Sequence, residues 1–429
     1  VFVLMLLISL FLSTVLSVWN NSTTYIDREI ERLGFGDITA WVGYTTETNS
    51  LTEGIANLPQ VETVSTQELI FAEYSVGGET ADAEGQLITY EPEKYAYKIF
   101  KDDLSGYQDA PASIGVGEVY ISPSLSSLFD VGIGDEIVFS IARQGGEHAF
   151  TVKGFFEDPF MGSTIIGMKS FFICPEEAQR ITAATQQAGN NSLARPGNML
   201  HIFQSEGGFD NVSDFNRYLN EQTSLQDHMD FSYTKASISG FMLVLQNMFT
   251  GFLLVFVLIL IIVAMIVIGH SINSSIEQDY VNMGILKAVG FTSAKLRIVQ
   301  LLQYFVGIIG GMLVGQAASL FLIPIMDRAT VTTTGVLIPA GMPWVLCLLS
   351  FAAILCLLLV FISIKTAKIG KIAPLRAIQG NIHEPAKGRG STPIKHRNLN
   401  LWLAVRQLMS GKRRYIGVCI VALLLTFFA

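Results

Sequence analysis

The sequence has only four cysteines in 429 residues. Cys174 stands alone in a long polar region, so that region cannot hold an internal disulfide. Cys347, Cys356 and Cys419 lie in apolar runs, where a free thiol packs as a small hydrophobe. No Cys or His spacing matches a metal or redox motif. The six histidines are scattered, and His270, at the end of an apolar run, reads as interfacial rather than as a proton relay. No Gly-x-x-x-x-Gly-Lys-Ser/Thr loop occurs, so the chain has no phosphate cradle of its own. No nucleophile–base pair stands out either, and no catalytic residue, metal ligand or cofactor is expected. Charge is missing over residues 236–275 and again over 298–326. Both stretches exceed the ~20 apolar residues that span a bilayer. With no charge in the middle of any apolar run, an ion-coupled transporter or polar pore is disfavoured.

What is present is membrane-like: 50% hydrophobic residues and a mean hydropathy of +0.44. The net charge of -8 hides a split. Residues 20–237 hold 32 Asp and Glu against 12 Lys and Arg, and the remainder holds 4 acids and 16 bases. Residues 365–414 alone carry 12 bases and a single acid, Glu384. The positive-inside rule places that basic segment in the cytoplasm and the acidic region outside it. Nucleic acid is not an expected partner. The chain begins and ends within apolar segments and reads as a piece cut at both ends.

Residues 1–19 read as a first membrane helix closed by the interfacial Trp19. A signal peptide is the competing reading, and the lack of a small-x-small cleavage site favours a retained helix. Residues 20–237 read as an extracytoplasmic domain. Residues 37–43, 51–58 and 61–67 predict a strand, a helix and a strand; residues 199–204, 209–220 and 230–234 predict a second such unit. Two β-α-β units make a ferredoxin-like α+β fold, here split by a β-rich insertion over about residues 70–198. Within it, residues 136–143 and 148–155 alternate around Gln144-Gly145-Gly146, a hairpin signal, with Gly132, Gly134 and Asp135 turning the chain into it. Residues 163–173 predict another strand and 175–183 a helix with proline in its first turn.

Three further membrane helices are expected, over about residues 242–269, 299–326 and 344–364. The second is long enough to begin as a stalk from about Ser237. The third carries Gly307, Gly311 and Gly315 four residues apart on one face, a spacing that lets helices pack closely. Residues 379–414 read as a cytoplasmic linker ending in an amphipathic helix. Residues 415–429 read as the start of a fifth membrane helix opening a second repeat.

Between the second and third helices lies SINSSIEQDYVNMGILKAVGF, residues 271–291. Ile276, Tyr280, Met283 and Leu286 fall at helical steps, Gly290 supplies a stop, and Thr292 and Ser293 can cap the next helix. A helix over residues 271–290 would lie across the cytoplasmic face, either as a passive interfacial anchor or as a seat for a soluble partner. Gly284 sits inside it, where glycine costs about 1 kcal/mol relative to alanine, which suggests a close approach.

The run Asn282-Met-Gly-Ile-Leu-Lys-Ala-Val-Gly-Phe291 resembles the signature of the FtsX-like permease family, the membrane subunits of one class of ABC transporter. The exit Lys365-Thr-Ala-Lys-Ile-Gly-Lys-Ile-Ala-Pro-Leu-Arg-Ala-Ile378 resembles that family's fourth-helix exit. The runs Gly117-Glu-Val-Tyr-Ile-Ser-Pro-Ser-Leu, Val131-Gly-Ile-Gly-Asp-Glu-Ile-Val-Phe139 and Phe150-Thr-Val-Lys-Gly-Phe155 are similar to the extracytoplasmic core domain of its MacB-like members. The family usually carries glutamate where this chain has Asn282 and, often, where it has Gln303.

The resemblance implies a polytopic α-helical membrane protein that is not itself an enzyme. Its coupling site would be Ile276, Tyr280, Asn282, Met283, Gly284, Ile285, Leu286, Lys287, Ala288 and Gly290, docking a cytoplasmic ABC ATPase dimer that holds the ATP. Membrane lipids, and an extracytoplasmic peptide, lipoprotein or hydrolase, are the other partners it implies. The functions it implies are export of amphipathic drugs or antimicrobial peptides, or lipid and lipoprotein handling. A non-transporting transducer that regulates cell-wall hydrolases is the alternative. A membrane-anchored receptor is a third class, disfavoured because an anchor needs one span.

Overall fold

The computed structural model describes residues 1–43, 48–143, 146–373 and Leu375. The chain opens on helix α1 (Phe2–Arg32). Strands and short helices follow: β1 (Ile38–Gly43), α2 (Thr48–Ala56), β2 (Val61–Val76), β3 (Glu79–Thr80), β4 (Gly85–Thr89), β5 (Ile99–Phe100), β6 (Tyr107–Gln108), β7 (Glu118–Ile121), α3 (Ser124–Phe129), β8 (Glu136–Ala142), β9 (Gly146–Phe155), β10 (Lys169–Ile173), α4 (Pro175–Ala188), β11 (Arg195–Gln204), α5 (Val212–Gln222), α6 (Leu225–His228) and β12 (Met229–Thr234). Four more helices complete the described chain: α7 (Lys235–Gln278), α8 (Tyr280–Ala288), α9 (Ser293–Thr334) and α10 (Trp344–Thr366). Among the described residues α1, α7, α9 and α10 are long and apolar enough to cross a membrane.

The chain divides into two units. One comprises Val18–Phe249 and Ile323–Gly341 and holds every strand among the described residues. Its strands run in the order β12-β1-β11-β2, each antiparallel to its neighbour. Alternation along β1 sends Ile38, Ala40 and Val42 to one face, where they pack with Leu51 and Ile55 of α2 and Phe215 and Leu219 of α5. Trp41 points to the other face, among Tyr25, Ile26 and Ile30 of α1 and Ile238 and Met242 of α7. Both faces are covered, so β1 reads as a continuous apolar run.

β2 is much longer than the expected residues 61–67, and that length builds the insertion. Its pairing with β11 runs as far as Phe71; it also bonds β4 at Leu69–Ala72 and, beyond β11, β8 at Glu73–Val76. Since β4 pairs β10, β10 pairs β7, β7 pairs β9 and β9 pairs β8, six strands close into a ring. Tyr74, Phe139, Phe150 and Phe171 belong to its buried core. Closure leaves these strands without a free edge. At the turn into β8 the Gly132 N–H donates to Asp135 Oδ2 at 2.8 Å, and Gly134 takes φ +95°.

The expected strand over residues 163–173 is confined to Lys169–Ile173, and residues 163–168 form a loop. Helix α5 begins at Val212 rather than 209, because Asn211 caps it by accepting from the Ser213 N–H at 2.9 Å.

The other unit comprises Val1–Ser17, Thr250–Leu322 and the chain from Met342. Its core joins Met5 and Ile8 of α1, Leu260, Ala264 and Ile268 of α7, Ile308 and Met312 of α9, and Leu358 and Ile362 of α10. Polar ties between these helices include the Ser9 hydroxyl, which donates to the Met312 carbonyl at 2.6 Å, and the Gln300 amide, which donates to Ser275 Oγ at 2.9 Å.

The membrane helices overrun their apolar cores. The first, expected over residues 1–19, continues to Arg32, and the third, expected over 299–326, runs Ser293–Thr334. α7 has 44 residues, about 66 Å at 1.5 Å per residue, roughly twice the hydrocarbon thickness. The added turns are polar or mixed, so a hydropathy window does not register them. The expected linker, amphipathic helix and fifth span at residues 379–429 lie outside the described residues.

Candidate functional site

The segment singled out as a cytoplasmic helix over residues 271–290 is two elements. Residues 271–278 are the last turns of α7, and α8 starts afresh after a turn at Asp279. The backbone stays bonded across the break, Asp279 N–H to Ser275 O at 2.9 Å and Met283 N–H to Asp279 O at 2.8 Å. α8 ends as its sequence predicts. Gly290 takes φ +102°, its N–H donates to Lys287 O at 3.1 Å, and the Phe291 N–H donates to Leu286 O at 3.0 Å, a Schellman stop. Thr292 Oγ1 then accepts from the Lys295 N–H at 3.4 Å at the start of α9.

Ile276 and Met283 are buried and Tyr280 packs against the same core, but Leu286, expected on that face, is 38% exposed. Gly284 is buried with Met283. Asn282, Ala288 and Gly290 are exposed. With Val281, Ile285, Leu286, Val289 (76% exposed) and Phe291, they leave a largely apolar outer face. Isolated exposed apolar residues are ordinary, but five within eleven positions mark a contact surface or a lipid-facing one.

Lys287 does not extend that surface. Its Nζ donates to the carbonyl oxygens of Ile369 at 2.6 Å and Ile372 at 3.0 Å, in and just after the 3-10 turn Ala367–Lys371 that follows α10. Arg297 of α9 donates to Ala367 O at 3.0 Å. Two cations thus satisfy carbonyls that the end of a helix leaves without intrahelical partners. Burial, then the nearby Arg297, holds the Lys287 ammonium below the usual lysine range. The outcome is mechanical: α8, α9 and the exit of α10 are tied together.

The glycines of α9 divide. A Cβ on Gly311 would stand 2.5 Å from the Phe2 carbonyl oxygen and 2.8 Å from Met5 Cβ. One on Gly315 would collide with the Leu6 carbonyl and lie 2.9 Å from Ser9 Cβ. Both therefore admit α1. Gly307 faces open space, while a Cβ on Gly310, which the four-residue spacing passes over, would lie 3.3 Å from the Phe2 ring.

The strand-bearing unit contains three features that sequence reasoning missed. The first is a cavity of ≈ 290 Å³ lined by Phe160, Met161, Ile166, Phe231, Tyr233 and Phe241 among others, with no charged side chain in its wall. The second is Lys169, buried in β10, whose Nζ donates to the carbonyls of Met161 at 3.2 Å, Ser163 at 2.5 Å and Ile166 at 2.5 Å. Burial lowers its pKa to about 8, opposed by the nearby Asp158 carboxylate. The third is a polar cluster. Lys98 Nζ donates to Glu29 at 2.6 Å and to Tyr25 OH at 2.8 Å, and Tyr25 OH donates to Glu157 at 3.1 Å and lies 2.9 Å from Tyr107 OH. Burial pushes Glu157 up to about 7. These residues come from distant parts of the chain, so spacing carries no signal for them. Among the described residues no group of three His, Cys, Asp or Glu could hold a metal.

Residues 254–374 match the profile of a family described as FtsX-like permease C-terminal. Among solved structures, the periplasmic region of MacB from Actinobacillus actinomycetemcomitans is similar at 14% identity, covering 50% of this chain and 95% of that one, with a TM-score of 0.23. The extracellular domain of the noncanonic ABC-type transporter YknZ from Gram-positive bacteria is similar at 12% identity, covering 46% of this chain and 98% of that one, with a TM-score of 0.22. A search of curated proteins returned no match. The apolar helices and the charge split make this a multi-pass membrane protein with a large extracytoplasmic domain, and its residues 254–374 are similar to the C-terminal part of FtsX-like permeases.

Proposed function

We propose that the chain couples ATP hydrolysis by a separate cytoplasmic ATPase dimer to movement of its extracytoplasmic domain. One observation carries this reading: α8 presents Val281, Ile285, Leu286 and Val289 outward, while Lys287 turns inward to hold the exit of α10. A helix with an open apolar face and a fixed back is suited to take a load from a partner and pass it to the spans. A passive anchor needs the face but not the tie.

The cargo reading is an amphipathic drug or antimicrobial peptide, or a lipid or lipoprotein. The uncharged cavity bounded by Phe160, Phe231 and Phe241 supports it, since such pockets take apolar groups. The domain reading keeps the partition at 1–19, 20–237, 238–378, 379–414 and 415–429. A ferredoxin-like unit split by an insertion is supported by the antiparallel order β12-β1-β11-β2, with α2 and α5 on one face.

Because Gly284 is buried, a bulky residue there would disturb the seat of α8 itself, so the docking test belongs on the exposed face. Ile285→Asp and Val289→Asp should insert normally and keep the extracytoplasmic domain folded, yet lose ATPase co-purification and stimulated hydrolysis. If both variants bind and stimulate the ATPase like wild type, α8 is an anchor and the coupling reading is wrong.

A further inference from the structure

The loop of residues 156–168 is braced from within. Lys169 bonds three of its carbonyls, and the buried Asp158 accepts from the N–H groups of Phe160 at 3.1 Å and Met161 at 2.8 Å. An ammonium held by three carbonyls and a carboxylate whose Oδ1 accepts from two amides, both out of water, hold a loop in one conformation, because opening it strands charge.

The same loop grips the outer end of α9. The Thr164 N–H donates to Thr333 O at 2.9 Å, and the Asp158 N–H donates to Gly335 O at 3.1 Å. Between these bonds the two backbones meet at glycine on both sides. A Cβ on Gly335 would lie 2.6 Å from Gly162 Cα, and one on Gly162 would collide with the Asp158 carbonyl of its own loop and lie 2.9 Å from Thr334 O and 3.0 Å from Gly335 Cα. Gly335 also takes φ +73°, a conformation costly for other residues. The following residues are held too: Tyr107 OH donates to Leu337 O at 3.2 Å, and the Asn21 amide donates to Gly341 O at 2.6 Å. Upstream, Pro324 lies inside α9 and cannot give the N–H bond of an ordinary turn, so the helix has a weak point just before the gripped segment.

We propose that Gly162 and Gly335 form a permanent clasp by which α9, and not only α7, moves the extracytoplasmic domain, with Lys169 as the positioning residue that keeps the loop rigid. This rests on the permease reading. A proline-weakened helix would flex rather than transmit unless its far end were held, and the clasp holds it through backbone contacts.

The test uses the full chain with its ATPase and reads hydrogen exchange with and without ATP. Gly162→Val should leave ATP hydrolysis unchanged, while the ATP-dependent change in exchange across β1, β2 and β11 falls by about tenfold or more. The pair Thr164→Cys and Thr333→Cys, oxidised to a disulfide, should preserve that change, since the clasp never opens. A blocked response in the oxidised pair, restored by reduction, would overturn the proposal, as would a wild-type response in Gly162→Val. If Gly162→Val unfolds the domain, the disulfide pair decides alone. Should the wild-type chain fail to stimulate any ATPase, the permease reading falls. The clasp is then read from exchange at Thr164, which is protected in wild type and exposed in Lys169→Met if the lysine braces the loop. Equal protection in both removes Lys169 from the device.

Discussion

The ammonium of Lys287 stands 2.6 Å from the carbonyl oxygen of Ile369, which locks helix α8 to the exit of α10. Lysine within a family signature invites assignment as a contact for the motor. Its geometry makes it an internal strut.

Lys287→Met keeps the aliphatic stem but removes the donors. The carbonyls of Ile369 and Ile372 lose a charged partner, worth about 1.5–3 kcal/mol if nothing replaces it and less because water reaches them. The expected result is a lower unfolding temperature in detergent, with ATPase binding retained and stimulation reduced. Loss of binding with unchanged stability would instead make Lys287 a direct contact.

Gly311 and Gly307 make a matched pair. Gly311→Leu has no room against the backbone of α1 and should destabilise the helix packing by at least 1–3 kcal/mol, the usual cost of overpacking. Gly307→Leu meets nothing within 4 Å and should be near neutral. Thermal unfolding in detergent ranks them, and equal effects would refute the α1–α9 contact.

Glu157 predicts a pH dependence. Burial raises its pKa from 4.5 to about 7, against the opposing pull of Lys98 and the hydroxyls of Tyr25 and Tyr107, with Glu29 adding to the rise. The folded protein therefore holds a proton that the unfolded chain releases between pH 4.5 and 7. Stability from this group is full below 4.5 and is lost as pH rises to about 7. Glu157→Gln should flatten that part of the stability profile, measured by thermal unfolding from pH 4 to 8. An unchanged slope assigns the dependence elsewhere.

Topology follows from the charge split. A cysteine placed at the exposed Asp82 should react with an impermeant reagent from outside the cell, and one at Lys387 should not. The opposite pattern would invert the whole arrangement.

Hydropathy alone marked the four long apolar helices, and the charge split the orientation expected of them, because bilayer insertion depends on the summed transfer energy of a local window. Local chemistry also determined the glycine stop at Gly290 and the hairpin between β8 and β9. Tertiary structure decided the rest. Leu286 faces outward while Met283 enters the core, and packing of Tyr25 and Ile30 carried α1 past its apolar run. The length of β2 closed six strands into a ring, and Gly162 met Gly335 across a long stretch of chain. A hydropathy window sees neither a pairing partner in a distant strand nor the backbone that lies against a glycine. Those contacts exist only once the chain has folded, and among them is the one that ties α9 to the domain it is proposed to move.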